Sequence, residues 1–341
     1  MSGGFGHVLR KTGSLVPAAL TRGFARPVAL FFHGVEHRID DSRAQSNHHD
    51  IASFSKIVRV LKDNFDVLPL SMLDEVLSAP LRHRRSVFLM ADDGYANNLS
   101  VAQAVLQEFN LPWTIFLSTH HVDTTERNPA FLARLFFLFA PSAKYDIANL
   151  HAQITLDDGQ NRAAAADLWV GRLKALDAGR AQAALDSMRA QFEGLDALAG
   201  RYASDAFLTW PEVAALKADG VEIGAHAHWH WPMHGAQTPE YLGEQARLSR
   251  ARIEAEIGPC RYFAYPFGNT QDIGREAWRA VRDAGYDYAF TTLSGSLDAS
   301  TNRWLMPRYG LALHEKRLPA LVPWLSAGNS RLRAWQRQMA G

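Results

Sequence analysis

Short, unbroken apolar runs alternate with helical patterns along most of this chain, and this alternation constrains the fold more than any other feature. Strands buried on both faces of a parallel sheet consist of continuous apolar residues. Such strands alternating with helices indicate an α/β fold with a parallel sheet. The predicted strands are Val28–Phe32, Val87–Met90, Trp113–Leu117, Val221–Ile223, Tyr262–Tyr265 and Tyr288–Thr292.

The predicted helices lie between these strands. The helix Leu99–Phe109 follows Asn97 and Asn98, either of which can cap its N-terminus. The other helices are Pro211–Ala218, Glu240–Ile257 and Arg275–Ala284, the first followed by Gly220 and the last by Gly285.

Residues 128–204 interrupt the alternation. They are rich in alanine and repeat apolar residues at helical spacing, which predicts a helical insertion packed on the α/β core, with a partner-binding arm as the alternative. We therefore divide the chain into an N-terminal extension (1–26), a main domain (27–315) that includes the insertion, and a C-terminal helical tail (316–341). The basic tail is expected to be solvated, with contact to a membrane surface as the alternative.

Composition narrows the function classes. The 36 Lys and Arg residues nearly balance 35 Asp and Glu, which argues against a protein that coats nucleic acid. A single cysteine, Cys260, excludes an intramolecular disulfide, whereas 14 histidines permit a His-based metal or acid–base site. The apolar stretch Leu15–Leu20 is short and contains Pro17, unlike a secretory signal. These features predict a soluble, cytoplasmic protein.

Two adjacent carboxylates, Asp92 and Asp93, directly follow a predicted strand and precede a glycine. Catalytic groups collect at the C-terminal ends of parallel strands, and neighbouring side chains on a turn can take different roles, one binding a metal and the other acting as a base. An Asp-Gly pair is also a common turn, so this motif alone favours a structural role.

A histidine cluster follows another predicted strand and favours a metal-binding role over a purely structural one. His226 and His230 are four residues apart, so a helical turn would direct both at one ion, while His228 would point elsewhere. Two histidines and one aspartate form a three-ligand site with open positions, which suits Zn²⁺ for hydrolysis and also non-haem Fe(II).

Two further candidate elements lie at the ends of predicted strands. His33 follows Val28–Phe32 and has a rival in His37, and the segment Arg261–Asn269 ends in Tyr-Pro-Phe-Gly. Such a turn can present a backbone N–H to a developing oxyanion.

These four elements together resemble the polysaccharide deacetylase family, also called the NodB-homology or carbohydrate esterase family 4 fold. The resemblance extends from about Val28 to Leu311, interrupted by the helical insertion, and implies a distorted (β/α) barrel. It implies that Asp92 is the catalytic base, that Asp93, His226 and His230 bind the metal, and that the Phe267 amide holds the reacting carbonyl. Tyr265, in the same motif, is expected at the substrate.

The chain resembles most closely a circularly permuted branch, in which the general-acid histidine comes from the N-terminal strand; the matching residue is His33, and His314 is the alternative. Many members carry an arginine where this chain has Ala264. Arg261 lies three residues before Ala264. Residues at an odd offset along a strand point to opposite faces, so Arg261 is a poor substitute for the missing arginine. Arg308, near the end of a late predicted strand, is the better candidate for the missing positive charge.

The resemblance implies a metal-dependent hydrolase that removes N-acetyl groups from amino sugars of a polysaccharide, an oligosaccharide or a lipid-linked precursor. Zn²⁺ is the expected cofactor, with Co²⁺, Ni²⁺ or Fe²⁺ as alternatives. Removal of formyl or another small acyl group from a lipid-linked sugar, and an inactive carbohydrate-binding relative, are the competing functions. No nucleic-acid partner is expected, and peripheral contact with the inner face of the membrane stays open.

Overall fold

The computed structural model describes residues 26–150, 153–311 and 330–340. Its strands are β1 (Val28–Phe32), β2 (Gly34–Glu36), β3 (His48–Asp50), β4 (Asp66–Val67), β5 (Ser86–Ala91), β6 (Thr114–Leu117), β7 (Ala143–Asp146), β8 (Gln153–Leu156), β9 (Glu222–Ala225), β10 (Tyr262–Ala264), β11 (Tyr288–Phe290) and β12 (Tyr309–Gly310). Its α-helices are α1 (Ile51–Asn64), α2 (Leu73–Ser78), α3 (Gln103–Glu108), α4 (Pro129–Phe139), α5 (Arg162–Lys174), α6 (Ala178–Gln191), α7 (Leu195–Gly200), α8 (Trp210–Ala218), α9 (Pro239–Glu256), α10 (Arg275–Asp283) and α11 (Ser330–Ala340).

The main sheet is parallel and has eight strands, seven of them in the order β11-β10-β9-β6-β5-β1-β12, with β4 beside β5. It curls into a half-barrel, which confirms the predicted α/β barrel. All five residues of β1 and all six of β5 are buried, because the barrel interior covers one face and helices cover the other. This explains why both strands are continuous apolar runs. Parallel pairing also places the C-terminal ends of these strands at one edge of the sheet.

The helix predicted at Leu99–Phe109 is present, but its N-terminal part differs from the prediction. Its first turns, Asn98–Ala102, are π-helical, and the Asn97 side chain forms no cap. The Asn97 amide instead accepts from the Val35 N–H and donates to Glu36 Oε1 and to the Ser204 carbonyl, so tertiary contacts replace the predicted cap.

The insertion has its own hydrophobic core, formed by α4 to α7 and joined by Trp231. The predicted all-helical content was wrong in one place, since β7 and β8 form an antiparallel hairpin. In β8 the buried Ile154 and Leu156 alternate with exposed residues, which is the two-residue period of a strand.

The structure describes only part of the C-terminal tail, the helix α11. The prediction that the tail is solvated was wrong for this helix. Leu332 and Met339 are buried, and the Gln336 amide donates to the Leu305 carbonyl. The helix therefore packs on the barrel. Among the described helices none is long and apolar enough to cross a bilayer.

Candidate active site

The predicted carboxylates lie where β5 ends. Asp93 has φ 75° and Gly94 has φ 87°, so two consecutive left-handed residues reverse the chain. Aspartate tolerates this conformation better than most residues. The turn buries both carboxylates, Asp92 and Asp93, each 2% exposed, at the carboxyl edge of the sheet.

His226 and His230 converge on Asp93, although the helical turn expected between them was wrong. The segment is irregular because Ala227 and His230 have φ of 60° and 51°. These two left-handed residues bring the imidazole rings to 4.9 Å between centroids. His228 points elsewhere, as predicted, with Nδ1 bonded to the Thr119 hydroxyl.

The geometry of these three side chains fits a divalent metal. The Nε2 atoms of His226 and His230 lie 3.2 and 2.8 Å from Oδ1 of Asp93, and one ligand atom from each residue lies within 4.8 Å of the others. Nδ1 of His226 donates to the Ala264 carbonyl, so the Nε2 lone pair of the neutral ring is free for a metal. Nδ1 of His230 lies 2.7 Å from the Asn128 amide nitrogen.

The charge states also fit. Burial lowers the pKa of His230, which favours the neutral imidazole that metals bind. Burial alone would raise the pKa of Asp93, but its close approach to His230 and His226 outweighs burial and holds that pKa well below its usual range. One carboxylate and two imidazoles are a common donor set for Zn²⁺.

Asp92 is held separately by Arg308. The guanidinium donates to both carboxylate oxygens, over 2.7 and 2.8 Å, and is itself fully buried. Burial opposes ionisation of Asp92, but the Arg308 charge lowers the pKa of the carboxyl overall. Arg308 precedes β12 instead of ending a strand, and it reaches Asp92 between the rings of Phe31 and Phe116. Arg261 is exposed and pairs with Asp287 on the surface.

The third motif forms a tight turn after β10. Phe267 and Gly268 have φ of 60° and 67°, and the Phe267 carbonyl accepts from the Thr292 hydroxyl. Among the described residues, none accepts a hydrogen bond from the Phe267 N–H. The Tyr265 side chain does not meet the expectation of a substrate contact, because it is fully buried and its hydroxyl donates to the Trp304 carbonyl.

A cavity of about 390 Å³ brings these groups together. His33 lines it beside Asp92, Asp93, His226, His230 and Phe267, whereas the rival His37 is exposed elsewhere. His314 lies outside the described residues. Of the aromatic residues near the motifs, Tyr95 lines this cavity, while Trp231 packs into the insertion core.

The insertion forms part of the cavity wall, which sequence reasoning missed. An Asn-Pro pair at the start of an apolar helix was an available signal for Asn128, whose Oδ1 caps α4. No local sequence signal identifies the other residues of this wall, because they reach the cavity through tertiary packing. The wall residues from the insertion, and from the position directly after it, are Asn128, Ala130, Phe131, Arg134, Val170, Lys174 and Asp205.

Comparisons with known proteins relate part of the sequence to a family and the fold to solved structures. Residues 148–289 match the family model described as polysaccharide deacetylase, a range that includes both histidines and Phe267 but not Asp92, Asp93 or His33. No curated protein matches the chain significantly.

Solved structures share the fold at low identity. The Streptococcus pyogenes deacetylase PplD in complex with acetate has a TM-score of 0.56 at 14% identity, over 87% of this chain and 96% of its own. IcaB from Ammonifex degensii has a TM-score of 0.55 at 14% identity, over 88% and 97%. A polysaccharide deacetylase from Bacillus cereus has a TM-score of 0.51 at 15% identity, over 86% and 69%. The chain therefore resembles polysaccharide deacetylases in two ways: residues 148–289 match their family model, and the fold is that of solved deacetylases.

Proposed function

We propose that the chain is a metal-dependent carbohydrate N-deacetylase that hydrolyses the acetamide of an amino sugar. The observation that carries the proposal is one cavity that holds two buried carboxylates with different partners. Asp93 faces two imidazoles, as a metal ligand requires, and Asp92 is bonded to an arginine, which leaves it outside the ligand set. The match of residues 148–289 to the polysaccharide deacetylase model supports removal of N-acetyl groups from a carbohydrate.

Asp93, His226 and His230 would hold the metal. When bound, Zn²⁺ or another divalent cation such as Co²⁺, Ni²⁺ or Fe²⁺ would lower the pKa of the attacking water and polarise the acetyl carbonyl. The Ala264 carbonyl fixes the tautomer of His226, and Asn128 contacts the outer nitrogen of His230, so both rings are oriented before the metal arrives.

Asp92 would act as the general base. Its lowered pKa keeps it ionised at neutral pH, and the two bonds from Arg308 fix its position. It would accept a proton from water as the oxygen bonds to the acyl carbon.

The Phe267 N–H would donate to the developing oxyanion, which is consistent with its having no acceptor among the described residues. His33 lines the same cavity and would protonate the leaving nitrogen as the C–N bond breaks. The products are acetate and a free amino sugar. Donation from this N-terminal strand is the permuted arrangement, which stays a prediction.

The substrate class is proposed more broadly as an N-acetylated polysaccharide, oligosaccharide or lipid-linked precursor. We also propose a cytoplasmic location, for which the single cysteine, which is buried, gives support. Fractionation of cells that express the protein tests this location.

Acetate release from an N-acetylglucosamine oligomer tests the function. We expect release by the Zn²⁺-loaded protein, loss after chelation and recovery on adding metal. Asp92→Asn should retain bound metal and lose about 10²–10⁴-fold in turnover, the usual contribution of a general base. A metal-free, silent protein would indicate a carbohydrate-binding relative, and release of formate from the N-formyl oligomer alone would indicate a deformylase. Near-normal turnover by Asp92→Asn would exclude it as the base.

A further inference from the structure

We propose that Asp205, which directly follows the insertion, is a specificity-determining residue that accepts hydrogen bonds from hydroxyl groups of the sugar. The proposal rests on the proposed function. Asp205 ends a single 3₁₀ turn, Ala203–Asp205, and lines the catalytic cavity together with Asp93 and Tyr95.

A buried polar network fixes this turn against two remote segments. The Ser204 carbonyl accepts hydrogen bonds from Nε2 of His48, over 2.9 Å, and from the Asn97 amide, over 3.0 Å. Burial lowers the pKa of His48 to about 4, so its imidazole is neutral and Nε2 can donate to the carbonyl as one defined tautomer. These donors precede the turn by 156 and 107 residues, so it is anchored by tertiary contacts.

The segment that follows the turn is also fixed. The Ala96 N–H donates to the Ala206 carbonyl and the Leu208 N–H to the Gly94 carbonyl, so residues 206–208 run beside the turn that carries Asp93. The rings of Tyr95 and Phe207 stack between the two segments, 5.3 Å apart. Asp205 is therefore held in a constant position relative to the metal-ligand turn, as a substrate-orienting group requires.

The carboxylate of Asp205 has few partners for a group that is only 3% exposed. The Ser204 hydroxyl donates to Oδ2 over 2.8 Å, and within the described ranges no Lys or Arg nitrogen lies within ion-pair distance. Burial raises its pKa to about 7. A buried carboxyl with one donor retains acceptor capacity that protein groups do not use.

The unused acceptor capacity of Asp205 indicates the kind of ligand group that it can bind. A carboxyl beside Asp93 disfavours an anionic ligand group, whereas neutral sugar hydroxyls supply donors without adding charge. Asp205 would thus select a substrate with a hydroxyl-bearing ring over an acetyl compound without one.

Two substrates separate this role from a role in the chemistry. The ratio of kcat/KM for an N-acetylglucosamine oligomer to that for an aryl acetate without hydroxyls should fall about ten- to a hundredfold in Asp205→Ala, the effect of losing hydrogen bonds to a charged group. Asp205→Asn keeps an acceptor oxygen and should fall less. Asp186→Ala, an exposed carboxylate of the insertion, is the matched control. An unchanged ratio, including equal losses on both substrates, would overturn the proposal.

Binding tests Asp205 without turnover. Calorimetry of the same oligomer with Asp92→Asn and with Asp92→Asn/Asp205→Ala should show a Kd that is about tenfold or more weaker in the double variant. Equal Kd values, or no binding by Asp92→Asn, would overturn the role of Asp205. A wild-type protein that binds the oligomer but releases no acetate would instead contradict the proposed function.

Discussion

Replacement of Arg308 by methionine tests the link between the buried ion pair and activity. The variant leaves the Asp92 carboxylate buried without its two donors and the Thr291 carbonyl without the Arg308 Nε bond. Removal of one partner of a buried pair typically costs about 3–5 kcal/mol because the remaining charge is uncompensated. We expect a loss of that size in the free energy of unfolding at pH 7.

The same change should remove activity. Without the guanidinium, burial is the dominant influence on Asp92 and raises its pKa, so a growing fraction of the carboxyl is protonated and cannot act as a base. Urea unfolding followed by circular dichroism measures the stability, and acetate release measures the turnover. Arg261→Met is the matched control, because that arginine also pairs with an aspartate but is 45% exposed, and such pairs contribute at most about 1 kcal/mol.

The stability difference should depend on pH with a defined sign. In the wild type the pKa of Asp92 is lowered, so the pair stabilises the fold above the unfolded pKa of about 3.9, and this contribution is lost as pH falls through the folded pKa. In Arg308→Met the folded pKa is raised, and the destabilisation shrinks as acidification protonates the carboxyl. The gap between the two proteins should therefore narrow from pH 7 toward pH ~4. Stability within ~1 kcal/mol of the wild type at pH 7, with normal turnover, would refute this reasoning.

Three further variants test individual residues. His226→Ala should lose both bound metal and activity, as measured by metal analysis and acetate release; full metal content would remove it from the ligand set. His33→Gln should lose most turnover while His37→Gln does not, and a fully active His33→Gln would contradict its assignment as the acid. Asn128→Ala should weaken metal affinity about 10–100-fold, because the His230 ring loses a contact that fixes its orientation. Asn161→Ala, which removes only a helix cap, controls for the lost cap, and equal metal affinity in both variants would contradict the positioning role.

The sequence predicted the barrel strands well because their burial leaves a local record. The strand β1 has the bounds that its apolar run predicts, Val28–Phe32, since both of its faces are covered. Residues that follow such strands, including Asp93 and His226, were identified because parallel strands end at one edge.

Other features depend on contacts that no local pattern records. His226 and His230 meet through left-handed residues instead of a helical turn, so the spacing gave the correct pair for the wrong conformational reason. Asn128 reaches His230 across 102 residues of sequence. Asp205 lies in the cavity only because the insertion folds back on the barrel. Tertiary packing, and not periodicity, determines this wall.

A crystal structure of the Zn²⁺-loaded protein with acetate, with anomalous data at the zinc edge, tests the central claim most directly. We predict one strong anomalous peak at about 2.0–2.2 Å from a carboxylate oxygen of Asp93 and from Nε2 of His226 and His230, the usual zinc distances. The acetate should lie against the Phe267 N–H, with Asp92 outside the coordination sphere. A zinc ion bound elsewhere, or coordinated by Asp92 in place of Asp93, would contradict the account.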